Sequence, residues 1–304
     1  FARVFSVAGS LPAAGSGRDY SADNFDLRMQ LGGIVANDWD MPHPEGLVGL
    51  IAPATDFTRA RKLYGRVWAA ARHGLRDVQR LVLLGAGRRP TVRLLAPCPR
   101  PFRTPLGVAE LDTEALARLA VVPGPDELAH RDALVLERHL LFAQLLASRV
   151  PVLPLLIGTL PDDLEDPRTD EDAVSAIDAL CRVLELPGRT LLVVASDLAR
   201  IGAGHASPLS PSPSIARTLR DRDARLGECA SSLDAERLWS TEGRRGDRGR
   251  AASLTPIWLA LSALRADGER RGVPGRGSVL GYEQLQSASD LVTCAAIALL
   301  EEQR

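Results

Sequence analysis

The sequence predicts an α/β fold, in which a mostly parallel central sheet is covered by helices on both faces. Short apolar runs of the length of buried strands alternate with stretches of helical periodicity along most of the chain, and this alternation is typical of parallel sheets. Most of these runs end in loops that contain glycine, proline or polar residues. No internal repeat or linker divides the sequence, so residues 1–304 are interpreted as a single domain.

The first strands and helix are predicted between residues 47 and 87. The apolar run 47–52, closed by Pro53, indicates a buried strand. Helical spacing over 58–72 predicts a helix with Thr58 as its N-cap. A second strand follows at 78–84 and ends at the glycines of 85–87. These elements form the start of a βαβ unit.

The alternation continues to about residue 200. We predict a helix at 126–146, a strand at 152–157, a helix at 170–184 and a strand at 191–195. An irregular loop, rich in Gly, Ser and Pro, then covers 202–214.

The C-terminal third begins with a predicted helix at 215–237 and a charged loop at 241–250. A helix is predicted at 256–270, with Pro256 at its first position. Strands at 278–282 and 291–300 close the chain, although the alanines of the second also allow a helix.

Charge and cysteine usage limit the classes of partner and compartment. The 37 Lys and Arg residues nearly balance the 38 Asp and Glu residues, which disfavours nucleic-acid binding. No apolar run is long enough to span a bilayer. Four widely separated cysteines, without metal-ligand spacing, favour a reducing, cytoplasmic location; they are Cys98, Cys181, Cys229 and Cys294.

Several short motifs occur in order along nearly the whole chain. They are RVFSVAGS at 3–10, IAP at 51–53, TPLG at 104–107 with Asp112, AHRD at 129–132 with Glu137, and VASDL at 194–198. Together they resemble the Memo family, which includes component B of the AmmeMemoRadiSam system. The resemblance implies the Memo fold, which is similar to that of class III extradiol dioxygenases. It also implies a bacterial protein that works in the company of a radical enzyme.

The resemblance further implies a pocket at the strand ends, where three histidines and a cysteine would bind a transition metal. At the four matching positions this chain has Ala54, Arg88, Arg200 and Ala252. Alanine offers no donor atom, and a protonated arginine has no lone pair to give. We therefore expect no metal, no cofactor and no catalytic residue.

The five histidines are candidates to replace the lost ligands. Family members have a histidine at the position of His130, and we expect it to order the pocket wall through a hydrogen bond. His205, in the loop 202–214, is the one that could swing into the pocket. His43 in a loop, His73 at a helix end and His139 within a helix are interpreted as ordinary structural residues.

Two interpretations of the arginines remain open. If Arg88 and Arg200 lie close together, they could bind a carboxylate or phosphate. Alternatively, each pairs with a local acid, for which Asp56 and Asp197 are the candidates. Asp197 is expected to cap or brace its loop, because Ser196 lacks the G-x-S-x-G turn of a nucleophile.

The sequence therefore leaves two functional classes. The first is a catalytically inactive accessory subunit that binds a partner protein or forms a homo-oligomer. The second is an enzyme or sensor that binds an anionic small molecule through the arginines. Candidate docking segments are the proline-rich loop 208–213 and the arginine-rich segment 244–250, which are otherwise solvated loops.

Overall fold

The fold is seen in a computed structural model that describes residues 9–87, 89, 91–120, 125–161, 164–202, 205, 207, 209–242 and 248–302. Side chains are not described at 125, 242 and 248–253. Most of the first motif, residues 3–8, and Arg88 therefore lie outside the described residues.

Eleven strands occur in the described part of the chain. They are β1 (Leu11–Pro12), β2 (Leu47–Ala52), β3 (Val78–Ala86), β4 (Leu95–Pro97), β5 (Phe102–Thr104), β6 (Gly107–Ala109), β7 (Val152–Ile157), β8 (Arg189–Ala195), β9 (Ala199–Ile201), β10 (Gly275–Gln286) and β11 (Leu291–Glu301). The large sheet has the order β10-β11-β2-β8-β3-β7-β4, and β9 pairs with β11. A small sheet contains β1, β5 and β6.

The large sheet is mixed, so the mostly parallel sheet that we predicted is not confirmed. The four strands β2, β8, β3 and β7 are parallel at its centre. Strand β11 is antiparallel to β2, β9 and β10, and β4 is antiparallel to β7. The connection 287–290 is too short for the crossover that a parallel pair of β10 and β11 would need. Because β11 is a strand, the helical alternative for 291–300 is wrong.

Helices cover both faces of this sheet, as predicted. They are α1 (Asn24–Ala36), α2 (Arg61–Ala71), α3 (Thr113–Arg118), α4 (Leu134–Leu146), α5 (Glu171–Leu184), α6 (Pro213–Ser231), α7 (Ala235–Glu242) and α8 (Arg248–Arg271). Helices α1, α2 and α4 contribute to the core on one face, and α5 to α8 contribute to the core on the other. None of the described helices is long and apolar enough to cross a membrane.

Alternation along the strands separates the two cores. In β3, Leu81 and Leu83 join the first core, whereas Val82 and Leu84 join the second. Successive side chains of a strand point to opposite faces of the sheet, so a strand covered on both faces is apolar at nearly every position. This is why the central strands appear in the sequence as continuous apolar runs.

Several predicted helix boundaries are wrong. Thr58 is not an N-cap, because α2 begins at Arg61 and the preceding turn is held by Asp56, whose Oδ1 accepts from Thr58 N at 3.0 Å and Arg59 N at 2.9 Å. The predicted helix 126–146 is a 3-10 helix, Pro125–Asp132, followed by α4. The break falls at Ala133, whose ψ of 58° is not helical.

Two further boundaries differ near the C-terminus. The predicted helix 215–237 is divided between α6 and α7, and Leu233 between them has a φ of 50°. Pro256 lies inside α8 rather than at its start, so it removes one hydrogen bond from the helix interior. Of the predicted loop 241–250, residues 241–242 and 248–250 are helical, and 243–247 lie outside the described residues.

Candidate functional site

The carboxyl ends of the central parallel strands bring the predicted site segments together. Ala52 at the end of β2 pairs in register with Ala195 at the end of β8. Ser196 N donates to Ala52 O at 2.8 Å, which holds the loop after β8 against the end of β2. Strand β11 runs antiparallel beside β2 and pairs with β9, which follows the same loop. We call this region the strand-end site.

A buried carboxylate lies at the centre of the strand-end site. Oδ1 of Asp197 accepts from Ala54 N at 2.9 Å, from Thr55 N at 3.1 Å and from Cys294 Sγ at 3.1 Å. Oδ2 accepts from Arg200 Nε at 2.8 Å and lies 2.7 Å from Arg200 Nη2. The Asp197 side chain is 0% exposed, so its charge is balanced by these donors instead of by water.

The loop after β2 is also fixed through its carbonyl groups. His139 Nε2 is 2.8 Å from Pro53 O, and Arg138 Nη1 donates to Ala54 O at 2.9 Å. The Tyr64 hydroxyl lies 3.0 Å from both Pro53 O and Thr55 O. The polar backbone groups around Ala54 thus already have partners from the protein itself.

Burial sets the protonation of two groups in this network. It lowers the pKa of His139 to about 4, so the imidazole is neutral at physiological pH and its Nε2 can donate to Pro53 O as the N–H tautomer. Burial, reinforced by the Asp197 carboxylate, raises the pKa of the Cys294 thiol well above its ordinary value. The protonated thiol can therefore donate its S–H to Asp197.

Two of the four positions at which the resemblance implies metal ligands are described with their side chains. Ala54 is buried and presents a methyl group, and Arg200 forms the ion pair with Asp197. Arg88 lies outside the described residues, and for Ala252 only the backbone, in α8, is described. The convergence of Arg88 with Arg200 stays a prediction.

The other candidate residues at the pocket lie elsewhere or serve local structure. Asp56 holds the turn before α2 and forms none of the described ion pairs with arginine. His130 Nε2 is 2.9 Å from Ala96 O of β4, and three strands lie between β4 and β2 in the sheet. His205 Nε2 lies 3.4 Å from Asp290 Oδ2, at the turn between β10 and β11. The structure thus brings Asp197 to Ala54, but ties His130 and His205 to other groups.

The residues present at the strand-end site do not fit the metal that the resemblance implies. Across the described residues, no group of three or more His, Cys, Asp or Glu side chains could hold a metal ion. Both oxygens of Asp197 accept from donors of the protein itself, the Cys294 thiol among them. A metal here would have to displace the Arg200 guanidinium and break the bonds that hold the loop after β2.

Sequence reasoning missed four residues that build the strand-end site: Tyr64, Arg138, His139 and Cys294. The sequence indicates His139 only as a structural residue within a helix and Cys294 only as one of four widely separated cysteines. Cys294 is 97 positions from Asp197, and only the pairing of β11 with β9 brings them together. No local pattern could have given that contact.

Comparison with known proteins decides the family. A family model described as Memo-like protein matches residues 12–296, which is most of the chain. The chain belongs to the Memo family. This confirms the resemblance drawn from the motifs.

Individual relatives of this Memo-family chain are distant. It is 25% identical over 153 residues to a MEMO1 family protein of Archaeoglobus fulgidus, an alignment that covers 50% of this chain and 54% of the archaeal protein. It thus matches only about half the length of that relative. A solved structure titled uncharacterized protein JW3007 from Escherichia coli K12 has 13% identity and a TM-score of 0.40, covering 83% of this chain and 99% of that one. A likeness of that degree carries no functional argument.

Proposed function

We propose that this Memo-family protein is a catalytically inactive accessory subunit of a protein complex in the bacterial cytoplasm. The observation that carries the proposal is the Asp197–Arg200 ion pair beside Ala54, at the place where the family would bind a metal. A catalytic site needs polar atoms that are free to engage a substrate or an ion. At the strand-end site, the polar atoms around Asp197 are hydrogen-bonded to each other.

The hydrogen bonds of the strand-end site support a structural role for it. Asp197 accepts from two backbone N–H groups, one thiol and one guanidinium. A buried carboxylate with this many donors stabilises the loops that it joins. The site therefore acts as a brace between the loop after β2 and the loop after β8.

The partner surface remains a prediction, and the chain offers two segments for it. Pro208 and residues 244–247 lie outside the described residues, whereas Pro211 and Pro213 are described and at least partly accessible to solvent. By its resemblance to component B of the AmmeMemoRadiSam system, we expect the partner to be a protein of that system or a second copy of this chain.

An anion-binding enzyme or sensor is the alternative function. The Arg200 side chain is 38% exposed, so part of its guanidinium faces solvent. Its charge is already balanced by Asp197, which weakens the case for an anionic ligand. A titration with inorganic phosphate, compared between the protein and Arg200→Ala, tests it: binding that depends on Arg200 would favour this alternative.

Restoring the family ligands tests whether the strand-end site has lost its metal. The protein is expected to retain no stoichiometric Zn²⁺, Fe²⁺ or Cu²⁺ after incubation and desalting. The variant Ala54→His/Arg88→His/Arg200→His/Ala252→Cys is expected to retain one equivalent, as measured by elemental analysis. One equivalent retained by the unsubstituted protein would overturn the proposal.

Purification from native cells tests the accessory role. Cross-linking and mass spectrometry should find either one stoichiometric partner chain or a defined homo-oligomer. A protein that is monomeric at native concentration and has no co-purifying chain would contradict an accessory subunit.

A further inference from the structure

Two histidines that are 30 positions apart in the sequence meet on the surface. His43 lies in the loop before β2, and His73 follows α2, so both lie at the amino ends of the parallel strands. This end of the sheet is opposite to the strand-end site. The centroids of the two exposed rings are 3.6 Å apart, and their planes make an angle of 34°.

Among the described residues, no hydrogen bond holds either ring in its position. Within the described part of the chain, neither imidazole has a hydrogen-bond partner, and no hydrogen bond contributes to the titration of either ring. Two imidazolium cations in contact would repel each other, so the pair requires at least one neutral ring.

An imidazole of ordinary pKa, about 6.5, is mostly neutral at pH 7.5. A neutral imidazole has a free nitrogen lone pair, which makes histidine the commonest metal ligand in proteins.

We propose that His43 and His73 form a two-histidine site for a divalent transition-metal ion such as Zn²⁺ or Cu²⁺. Bonds from these ions to imidazole nitrogen are about 2.0–2.1 Å, so rings in contact can share one ion after a small opening of the pair. The remaining coordination positions face solvent and are filled by water.

A nearby cation limits the affinity. The Arg72 guanidinium lies 4.5 Å from the centre of the Trp39 ring, and its charge opposes a divalent ion at the adjacent histidines. With only two protein ligands, we expect binding in the micromolar range. Such an ion dissociates on desalting, so it is distinguishable from an ion held at the strand-end site.

Calorimetric titration of the full chain with ZnCl₂ and CuCl₂ at pH 7.5 tests the site. One ion per chain is expected to bind. His43→Ala and His73→Ala should each weaken binding by about 100-fold. Each variant keeps only one imidazole ligand, so the ion loses the advantage of two ligands held side by side. The matched control is His205→Ala, a partly exposed histidine elsewhere, which should leave the affinity unchanged. At pH 5.5, protonation of the rings should weaken binding strongly.

The proposal is overturned if the unsubstituted protein binds no ion, or if the variant His43→Ala/His73→Ala binds it equally well. Arg72→Ala gives an independent test, since removing the opposing charge should tighten binding several-fold, and an unchanged affinity would place the ion elsewhere. Both histidines are exposed, so the variants are expected to fold, which circular dichroism checks.

The proposed accessory function does not depend on this site and is judged by metal retained at the strand-end site.

Discussion

At the scale of single residues, Asp197 braces the loops that follow β2 and β8. Arg200 stands at a position where the resemblance implies a metal ligand, and its guanidinium supplies the charge that the carboxylate needs once it is buried. The sequence named Asp197 as a loop brace and as a possible partner of an arginine. It gave no indication that the backbone at Ala54 and the thiol of Cys294 would be the other donors.

Replacement of Asp197 by Asn should lower the free energy of unfolding by about 2–3 kcal/mol, because the amide has one acceptor oxygen where the carboxylate has two. Its NH₂ group would then face either backbone N–H groups or the Arg200 guanidinium. Urea unfolding at pH 7.5 measures the loss. Asp56→Asn is the matched control and should cost about 0.5 kcal/mol or less, since its amide oxygen can still accept from Thr58 N and Arg59 N. Equal losses for the two variants would contradict the assignment of Asp197 as the centre of the network.

At the scale of elements, local signals determined some helices and not others. Helix α5 has an aspartate N-cap, acidic residues in its first turn and an apolar face, and the prediction of 170–184 matches its observed range with the cap included. Its buried face contains Ala173, Ala176, Leu180 and Val183. By contrast, α8 extends eight residues before Pro256, a position at which local rules favour a helix start.

Loss of the α5 cap should have a measurable cost. Asp170 accepts from Ala173 N at 2.9 Å, and Asp170→Ala should lower the free energy of unfolding by about 1 kcal/mol. Asp172→Ala is the matched control, because Asp172 is exposed in the first turn and should contribute only about 0.3 kcal/mol through the helix dipole. Chemical denaturation of both variants compares them, and similar losses would show that the Asp170 cap is not formed.

At the scale of the whole molecule, two buried neutral histidines make the fold sensitive to acid. His130 joins the 3-10 helix Pro125–Asp132 to β4, and His139 joins α4 to the loop after β2. Burial lowers the pKa of each to about 4. Both rings can be protonated readily only when the structure around them opens.

Stability should therefore decrease as the pH falls from about 6.5 to about 4. Over this range the unfolded chain binds protons at these histidines and the folded chain does not, so unfolding takes up protons and is favoured by acid. Each histidine contributes on the order of 3 kcal/mol to the free energy of unfolding. This contribution is complete above pH 6.5 and is lost below pH 4. Urea unfolding across this range measures it. His130→Gln and His139→Gln should each reduce the pH dependence, and a double variant with the full dependence would contradict this origin.

The sequence by itself determined the family and the central strands, and it predicted the loss of the metal ligands. The runs at 47–52 and 152–157 are strands as predicted, because a strand buried on both faces must be apolar throughout its length. The side chains of Ala54 and Arg200 have no lone pair to give to a metal ion. This is a property of their chemistry, which no fold can change.

Only the tertiary structure decided which distant residues meet. The antiparallel direction of β11 brings Cys294 to Asp197, and the packing of loops at the other end of the sheet brings His43 to His73. These contacts join positions that are 97 and 30 residues apart and depend on strand order and direction. Propensity and periodicity act over a few residues, so they leave such contacts undetermined.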